Sequence, residues 1–217
     1  MEAKYLFALR HGERVDKVAL HRQPKSYLSH DCPITDLGLL QAQRSALLIE
    51  NFAPAGVKFH VVSSPFLRCI QTAAEVAKRL NTVVHVEEGF CEWLSKLDFS
   101  KSPLDALFYT RIGQELGVEI VQSPSLLRPQ YPETLSACIS RTKAAFDLYL
   151  PQVSEQVLVI VTHLHPVEAL SELWSGQRCL YPEENNCLVS HAELREGRYS
   201  LILSGDHTHA PQYIRES

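Results

Sequence analysis

The 217 residues contain no apolar stretch long enough to cross a bilayer. The short apolar run of residues 5–9 follows Met1-Glu2-Ala3-Lys4 without a cleavage pattern behind it, so no targeting signal is read. Six cysteines, at positions 32, 69, 91, 138, 179 and 187, include no C-x-x-C pair, and a chain of this length needs no disulfide framework. These absences point to reduced thiols and a cytoplasmic setting, with no membrane partner. Positive charge is not in excess. The net charge of -4 excludes a broad nucleic-acid-binding surface, although a local basic pocket is compatible with it. No repeat, low-complexity tract or Pro/Gly/Ser linker divides the sequence, so residues 1–217 read as one domain that can bury a sizeable core.

What is present alternates between two periods. Residues 5–10 form an apolar run of strand length. Residues 35–51 have helical spacing, with Thr35 suited to the N-cap. Residues 57–63 read as a second strand. Ser64-Pro65 then signals a helix start, Ser64 as N-cap and Pro65 at the first position, and Asn81 suits its end. Residues 83–86 read as a third strand and residues 133–150 as a helix. Residues 157–161 are almost all β-branched, as in a strand buried on both faces. Pro166 opens another helix and Gly176 closes it. Residues 188–194 and 199–203 read as a hairpin around Glu196-Gly197. Strands alternating with helices predict an α/β three-layer sandwich, a mostly parallel sheet flanked by helices. Residues 94–131 are expected to arch over the site as a substrate-capping insertion, and residues 205–217 to form an irregular polar tail.

Three polar signals fall where strands give way to loops, the carboxyl-end positions at which open α/β sheets bind ligands. The first is Arg10-His11-Gly12-Glu13-Arg14. Flanking arginines disfavour a second positive charge, so His11 is expected to be neutral and therefore nucleophilic. Arg10 and Arg14 supply forked donors that match phosphate oxygens, and Gly12 would let the backbone pass close to a ligand. The second is Ser63-Ser64-Pro65-Phe66-Leu67-Arg68. Arg68 sits in a helix's first turn, where a cation is unfavourable unless an anion binds nearby. The third is Val161-Thr162-His163-Leu164-His165. Taken singly, the three have bland readings: a solvated charge cluster, an exposed arginine and a structural histidine. A metal pair at His163/His165 or His207/His209 lacks the H-E-x-x-H or cysteine-rich spacing that would support it, so no metal is expected and the second pair reads as solvated.

In this order these segments, together with Ile70-Gln71-Thr72-Ala73 and the entry Pro33-Ile34-Thr35-Asp36-Leu37-Gly38, resemble the histidine phosphatase (phosphoglycerate-mutase-like) superfamily. Within it, the likeness is greatest to the phosphatase domain of the ubiquitin-associated and SH3 domain-containing proteins. It is carried by Val15-Asp16 after the first motif, residues 67–73, Glu92-Trp93, and Tyr131-Pro132 leading to Ile139-Ser140-Arg141. No SH3 or ubiquitin-associated segment is read here, so adaptor functions do not carry over.

The resemblance implies a metal-independent, cofactor-free phosphatase. His11 would be phosphorylated. Arg10, Arg14, Arg68 and His163 would hold phosphate. Glu92 would be the general acid, with Trp93 and Phe90 raising its pKa, and Glu87, Glu88 and Glu133 are rival carboxylates. Leu164 after His163 departs from the acid-phosphatase branch, where aspartate follows. Thr162 departs from the alanine that is frequent before that histidine. Substrates implied are phosphotyrosine or aryl phosphate, packing against Phe99, Phe108, Tyr109 and Tyr131, or a small phosphometabolite. The same rings could instead pack against the domain. A homodimer is admitted by the same resemblance. The rivals are a phosphoglycerate mutase, whose Trp-Asn element after Arg-His-Gly is absent here, and a weakly active protein that binds phosphorylated ligands.

Overall fold

Residues 5–10 form β1 (Tyr5–Arg10) in the computed structural model, which describes residues 3–18, 30–104, 112–121 and 123–211. Successive side chains on a strand face opposite ways. Accordingly Phe7 and Leu9 enter one apolar cluster, while Leu6 and Ala8 enter another. β5 (Val157–Thr162) lies between β1 and β2 (Phe59–Ser63), parallel to both, with Val159 opposite Phe7 and Val61. All six of its residues are buried, which explains its unbroken apolar sequence. β3 (Val84–Val86) and β4 (Ile120–Val121) extend the parallel part, and β6 (Val189–Arg195) and β7 (Arg198–Asp206) add an antiparallel hairpin. The strand order is β4-β3-β2-β5-β1-β6-β7. Glu196 and Gly197 both have positive φ, as a two-residue hairpin turn requires.

Besides the single-turn α1 (Val15–Val18), four long helices complete the layers. α2 (Asp36–Phe52) and α3 (Leu67–Leu80) cover one face through Ala42, Ala46, Ile49, Ala73 and Val76. A short α4 (Ile112–Leu116) follows β3, and α5 (Leu135–Tyr149) and α6 (Leu164–Ser175) cover the other face through Phe146, Leu170 and Trp174. The result is the expected α/β sandwich. Among the described residues, no helix is long and apolar enough to cross a membrane.

Three local expectations are corrected. α3 starts at Leu67, not Pro65: Phe66 stands at its N-cap in extended conformation, the Ser64 hydroxyl meets His163, and the first helical N–H, that of Leu67, donates to the distant Asp31 Oδ1 at 2.7 Å. α6 starts at Leu164, two residues ahead of Pro166, which still falls in the first turn where a missing N–H costs nothing. The stretch from residue 205 is not wholly irregular: β7 runs to Asp206, and His209 is largely buried rather than solvated, bonded to Asp206 Oδ2 and Ser45 Oγ, each at 2.9 Å. Within residues 94–131, Phe99 and Leu104 pack on Phe66, and the Tyr131 hydroxyl donates to the Phe99 carbonyl. Those two rings thus turn into the protein. Phe108 and Tyr109 lie outside the described residues, as do residues 212–217.

Candidate active site

Four chain segments leave the carboxyl edge of the sheet side by side: residues after β1, β2, β3 and β5. They carry the residues singled out above to one place. His11 follows β1 and is 2% exposed. Its Nδ1 lies 2.8 Å from the Gly12 carbonyl, a bond only a protonated Nδ1 can make, so Nε2 keeps its lone pair. Burial above all, then Arg68, His163 and Arg10, hold His11 well below the ordinary histidine pKa. The neutrality expected from the arginines is thus present, with desolvation as its larger source. The His163 ring meets His11 edge-on at 5.3 Å.

The loop carrying His11 is fixed from outside. Gly12 N donates to Thr72 Oγ1 at 3.0 Å, and Glu13 N donates to Gln41 Oε1 at 2.9 Å. Thr35 both caps α2 and donates to Glu13 Oε2. A Cβ on Gly12 would lie 2.5 Å from the Gly38 carbonyl oxygen, and one on Gly38 would lie 2.5 Å from that of Glu13. Gly12 is therefore required by the approach of α2.

Two arginines are held with donors to spare. Arg10 gives Nη1 to the carbonyls of Glu183 (2.5 Å) and Asn185 (2.9 Å). Arg68 is 1% exposed, lies 4.4 Å over the Phe66 ring, and donates from Nη2 to His163 Nδ1 at 3.1 Å. Arg10 Nε and Arg68 Nε and Nη1 are buried without a partner. Such groups cost about 1–3 kcal/mol each, more when charged, unless an acceptor reaches them. Arg14 is held differently. Asp16 takes its Nε and Nη2 at 2.9 and 2.6 Å, so its guanidinium reaches this centre as an oriented charge.

His163, fully buried, accepts from Arg68 on Nδ1 and therefore presents Nε2–H to Ser64 Oγ at 2.8 Å. Burial lowers its pKa to about 4 despite the neighbouring Glu92. Glu92 Oε2 stands 3.3 Å from His163 Nδ1 and 3.5 Å from Arg68 Nη2, with 23% of its side chain exposed. Burial pushes its pKa up, but His163, Arg68 and the Trp93 N–H outweigh that and leave it well below the carboxylate norm. The expected raised pKa is thus reversed in the ligand-free pocket, because cations and donors outweigh Phe90 and Trp93.

The rival carboxylates have other occupations. Glu87 accepts the N–H groups of Gly89, Leu126 and Leu127. Glu133 pairs with Arg141, and Glu88 stands 3.4 Å from Arg128.

His11, Glu92 and His163 also place one ligand atom each within 4.8 Å of one another, a spacing open to a metal ion. Arg68 sits against the same atoms, and Arg10 and Arg14 bring further positive charge, which repels a cation and attracts an anion.

A groove of about 270 Å³ lies beside this centre, between α5, α6 and residues 178–183, lined by Leu135, Ile139, Leu164 and Leu180 together with the charged Glu168, Glu172 and Arg178. His165 and Glu183 border it. The first packs edge-on to Trp93, next to Glu92, and the second lends its carbonyl to Arg10.

A family model described as histidine phosphatase superfamily (branch 1) matches residues 6–207. The chain belongs to that superfamily. Among curated proteins, it is 36% identical over 120 residues to the ecdysteroid-phosphate phosphatase of Bombyx mori (42% of this chain, 18% of that one). It is 27% identical over 156 residues to mouse ubiquitin-associated and SH3 domain-containing protein A (57% and 24%). It is 26% identical over 174 residues to the transcription factor tau 55 kDa subunit of Saccharomyces cerevisiae (75% and 39%). The chain thus spans well under half the length of these relatives.

Solved structures share its fold. An ecdysone phosphate phosphatase from Bombyx mori with tungstate superposes with a TM-score of 0.66 at 20% identity, covering 99% of this chain and 96% of that one. A Bacillus anthracis phosphoglycerate mutase gives 0.63 at 19% identity, covering 96% of each.

Sequence reasoning did not find Asp31, Thr72, Arg141 or the carbonyls of Glu183 and Asn185 as supports. Thr72 stood inside a motif already singled out. Asp31 and the carbonyls had no local signal, because their partners are distant in sequence.

Proposed function

We propose that this member of the superfamily hydrolyses phosphate monoesters through a phosphohistidine on His11, without a metal. The observation that carries the reading is the trio of unpartnered buried N–H groups of Arg10 and Arg68 beside an unprotonated imidazole nitrogen. A phosphoryl group supplies the acceptors those donors lack, and puts its phosphorus in reach of His11 Nε2. Phosphoryl transfer needs positioning and charge stabilisation more than covalent help, and fixed guanidiniums provide both.

In the reaction, His11 Nε2 attacks in line and the P–O bond to the leaving group breaks. Arg10 and Arg68 hold equatorial oxygens, the neutral His163 orients Arg68 through its Nδ1, and Arg14 adds charge. Glu92 gives its proton to the leaving oxygen. It then takes a proton from the water that attacks the phosphohistidine, releasing inorganic phosphate and restoring His11. Glu92 starts ionised, and His163 is neutral rather than protonated as the attack begins. An arriving phosphate brings negative charge that raises the Glu92 pKa, so the acid is made as the substrate binds. One proton must therefore come in with the substrate. Because phosphate monoesters lose their second proton near pH ~6, kcat/KM is expected to fall about tenfold per pH unit above that point. On the acid side it is expected to fall as His11 protonates, well below the ordinary histidine range.

For the leaving group, the apolar wall that Leu135, Ile139, Leu164 and Leu180 give this groove favours an aryl or other apolar alcohol, and its acidic Glu168 and Glu172 disfavour an anionic metabolite. The inward packing of Phe99 and Tyr131 removes those two rings from that role. The relative from Bombyx mori is named an ecdysteroid-phosphate phosphatase.

The test uses phenyl phosphate as substrate. Turnover should persist in a strong chelator and drop to background in His11→Ala with the circular dichroism spectrum unchanged. Survival of activity in His11→Ala overturns the nucleophile. Loss in chelator with recovery on adding a divalent ion overturns metal independence.

A further inference from the structure

Four consecutive carbonyls, those of residues 89–92, lead into the side chain of Glu92, and each accepts a hydrogen bond from one of two buried side chains. Arg141 donates from Nη1 to the Gly89 carbonyl at 2.7 Å and to that of Cys91 at 3.3 Å. Its Nη2 reaches the Cys91 carbonyl at 3.3 Å and that of Glu92 at 3.2 Å. The Phe90 carbonyl, left over by Arg141, is taken by Thr162 Oγ1 at 2.5 Å.

Glu133 locks the fork of Arg141 from behind, with Nε–Oε2 at 3.0 Å and Nη2–Oε1 at 2.6 Å. It also grips the far side of the same segment. Its carboxylate accepts Leu94 N at 3.1 Å, its carbonyl accepts Trp93 Nε1 at 3.1 Å, and its own N–H donates to the Leu94 carbonyl. The Arg141 and Glu133 side chains are only 7% and 4% exposed.

A buried ion pair is weak evidence for stability, since desolvation offsets much of its attraction. This one spends its donors on an irregular segment that has no sheet or long helix to hold it. Thr162 is the last residue of β5, directly before His163. The same side chain thus ties the acid's segment to the strand that delivers the second histidine.

We infer that Arg141, Glu133 and Thr162 form a collar whose role is to position the Glu92 carboxylate against the leaving oxygen. These are positioning residues, since none lies at the reacting atoms. The inference rests on the reading of Glu92 as general acid. It assigns a purpose to Thr162, the hydroxyl found where the family pattern favours alanine. It also explains why Arg, and not Lys, stands at 141: a single ammonium cannot cover three carbonyls and a carboxylate in fork geometry.

The experiment compares kcat/KM for phenyl phosphate, whose leaving oxygen needs a proton, with 4-nitrophenyl phosphate, whose leaving oxygen needs little help. Glu92→Gln sets the scale. It should lower the phenyl phosphate value about 100-fold or more, in the range of general acid catalysis, and the nitrophenyl value far less. Thr162→Val and Arg141→Lys should reproduce that skew, losing about tenfold or more on phenyl phosphate and little on nitrophenyl phosphate. Thr162→Ser, which keeps the hydroxyl, should restore the phenyl phosphate value. If Arg141→Lys does not fold, Thr162→Val against Thr162→Ser carries the test alone.

A steep response to Glu92→Gln, with equal losses on both esters or none in the collar variants, overturns the collar and leaves the acid in place. A flat response to Glu92→Gln overturns the acid itself, and the collar with it.

Discussion

As the proposed nucleophile, His11 would work by what is kept from it. Its Nδ1 is spent on the Gly12 carbonyl and its burial denies it a charge, so one lone pair is left facing two arginines. That geometry depends on a close backbone crossing, in which Gly12 and Gly38 each fill space a methyl group would need. Gly12→Ala should therefore displace the His11 loop from α2. The expected outcome is a loss of stability of about 1–3 kcal/mol from overpacking, read by chemical denaturation, together with a fall in kcat on phenyl phosphate. An unchanged denaturation midpoint and rate would show that the crossing can relax. The convergence of His11, His163 and the three arginines was legible in the sequence because each sits at a strand end or helix start with a charge pattern that local context does not explain. The state of Glu92 was not legible. Its apolar neighbours Phe90 and Trp93 are adjacent in sequence, whereas Arg68 and His163, which reverse their effect, arrive from elsewhere.

At the level of elements, four strand ends bring the site together, and the helices that follow them set its orientation. α3 is the informative case. Its sequence offers Ser64-Pro65 as a start, yet the serine hydroxyl meets His163, and the helix opens at Leu67, whose N–H donates to the buried Asp31. Asp31→Ala should cost about 1–3 kcal/mol, the usual cost of leaving a buried N–H without its acceptor. It should also weaken inhibition by inorganic phosphate, because Arg68 is the second residue of that helix. Normal phosphate inhibition in a destabilised Asp31→Ala protein would separate this support from the site. The core elements were legible to within one or two residues because β1, β5 and the helices have strong periodicity. β4, with two residues, and α4, with five, are too short to show a period and were missed. The burial of His209 was missed for another reason: its partner Ser45 lies on α2, far away in sequence.

Across the whole molecule, burial has removed protons from many histidines at once. His11, His60, His85, His163, His191 and His209 are all lowered, with burial as the largest cause in each, and His60 and His163 fall to about 4. Between those values and the unfolded histidine pKa of ~6.5, the unfolded chain binds more protons than the native one. Stability should therefore be complete above pH ~6.5 and decline as pH falls toward 4. The depressed Glu92, Glu155, Glu193 and Asp206 act in the same direction at lower pH, below their unfolded values. Urea denaturation at pH 7 and pH 4.5 should show a clear loss at the lower value. Equal stability at the two would mean that these histidines titrate normally in the fold. The catalytic optimum expected on the acid side of neutrality thus lies where the fold begins to weaken, so activity and stability should be measured on the same samples.

In the proposed reaction the phosphoryl group passes through His11. The most direct measurement is to mix the protein with phenyl phosphate labelled on phosphorus, quench in alkali, which spares phosphohistidine, and map the labelled peptide. The label should sit on His11, appear within the first turnover, and be absent from His11→Ala. A label on His163, on Cys69 or on any other side chain would contradict the account, as would turnover by the wild-type protein with no labelled intermediate at any time point.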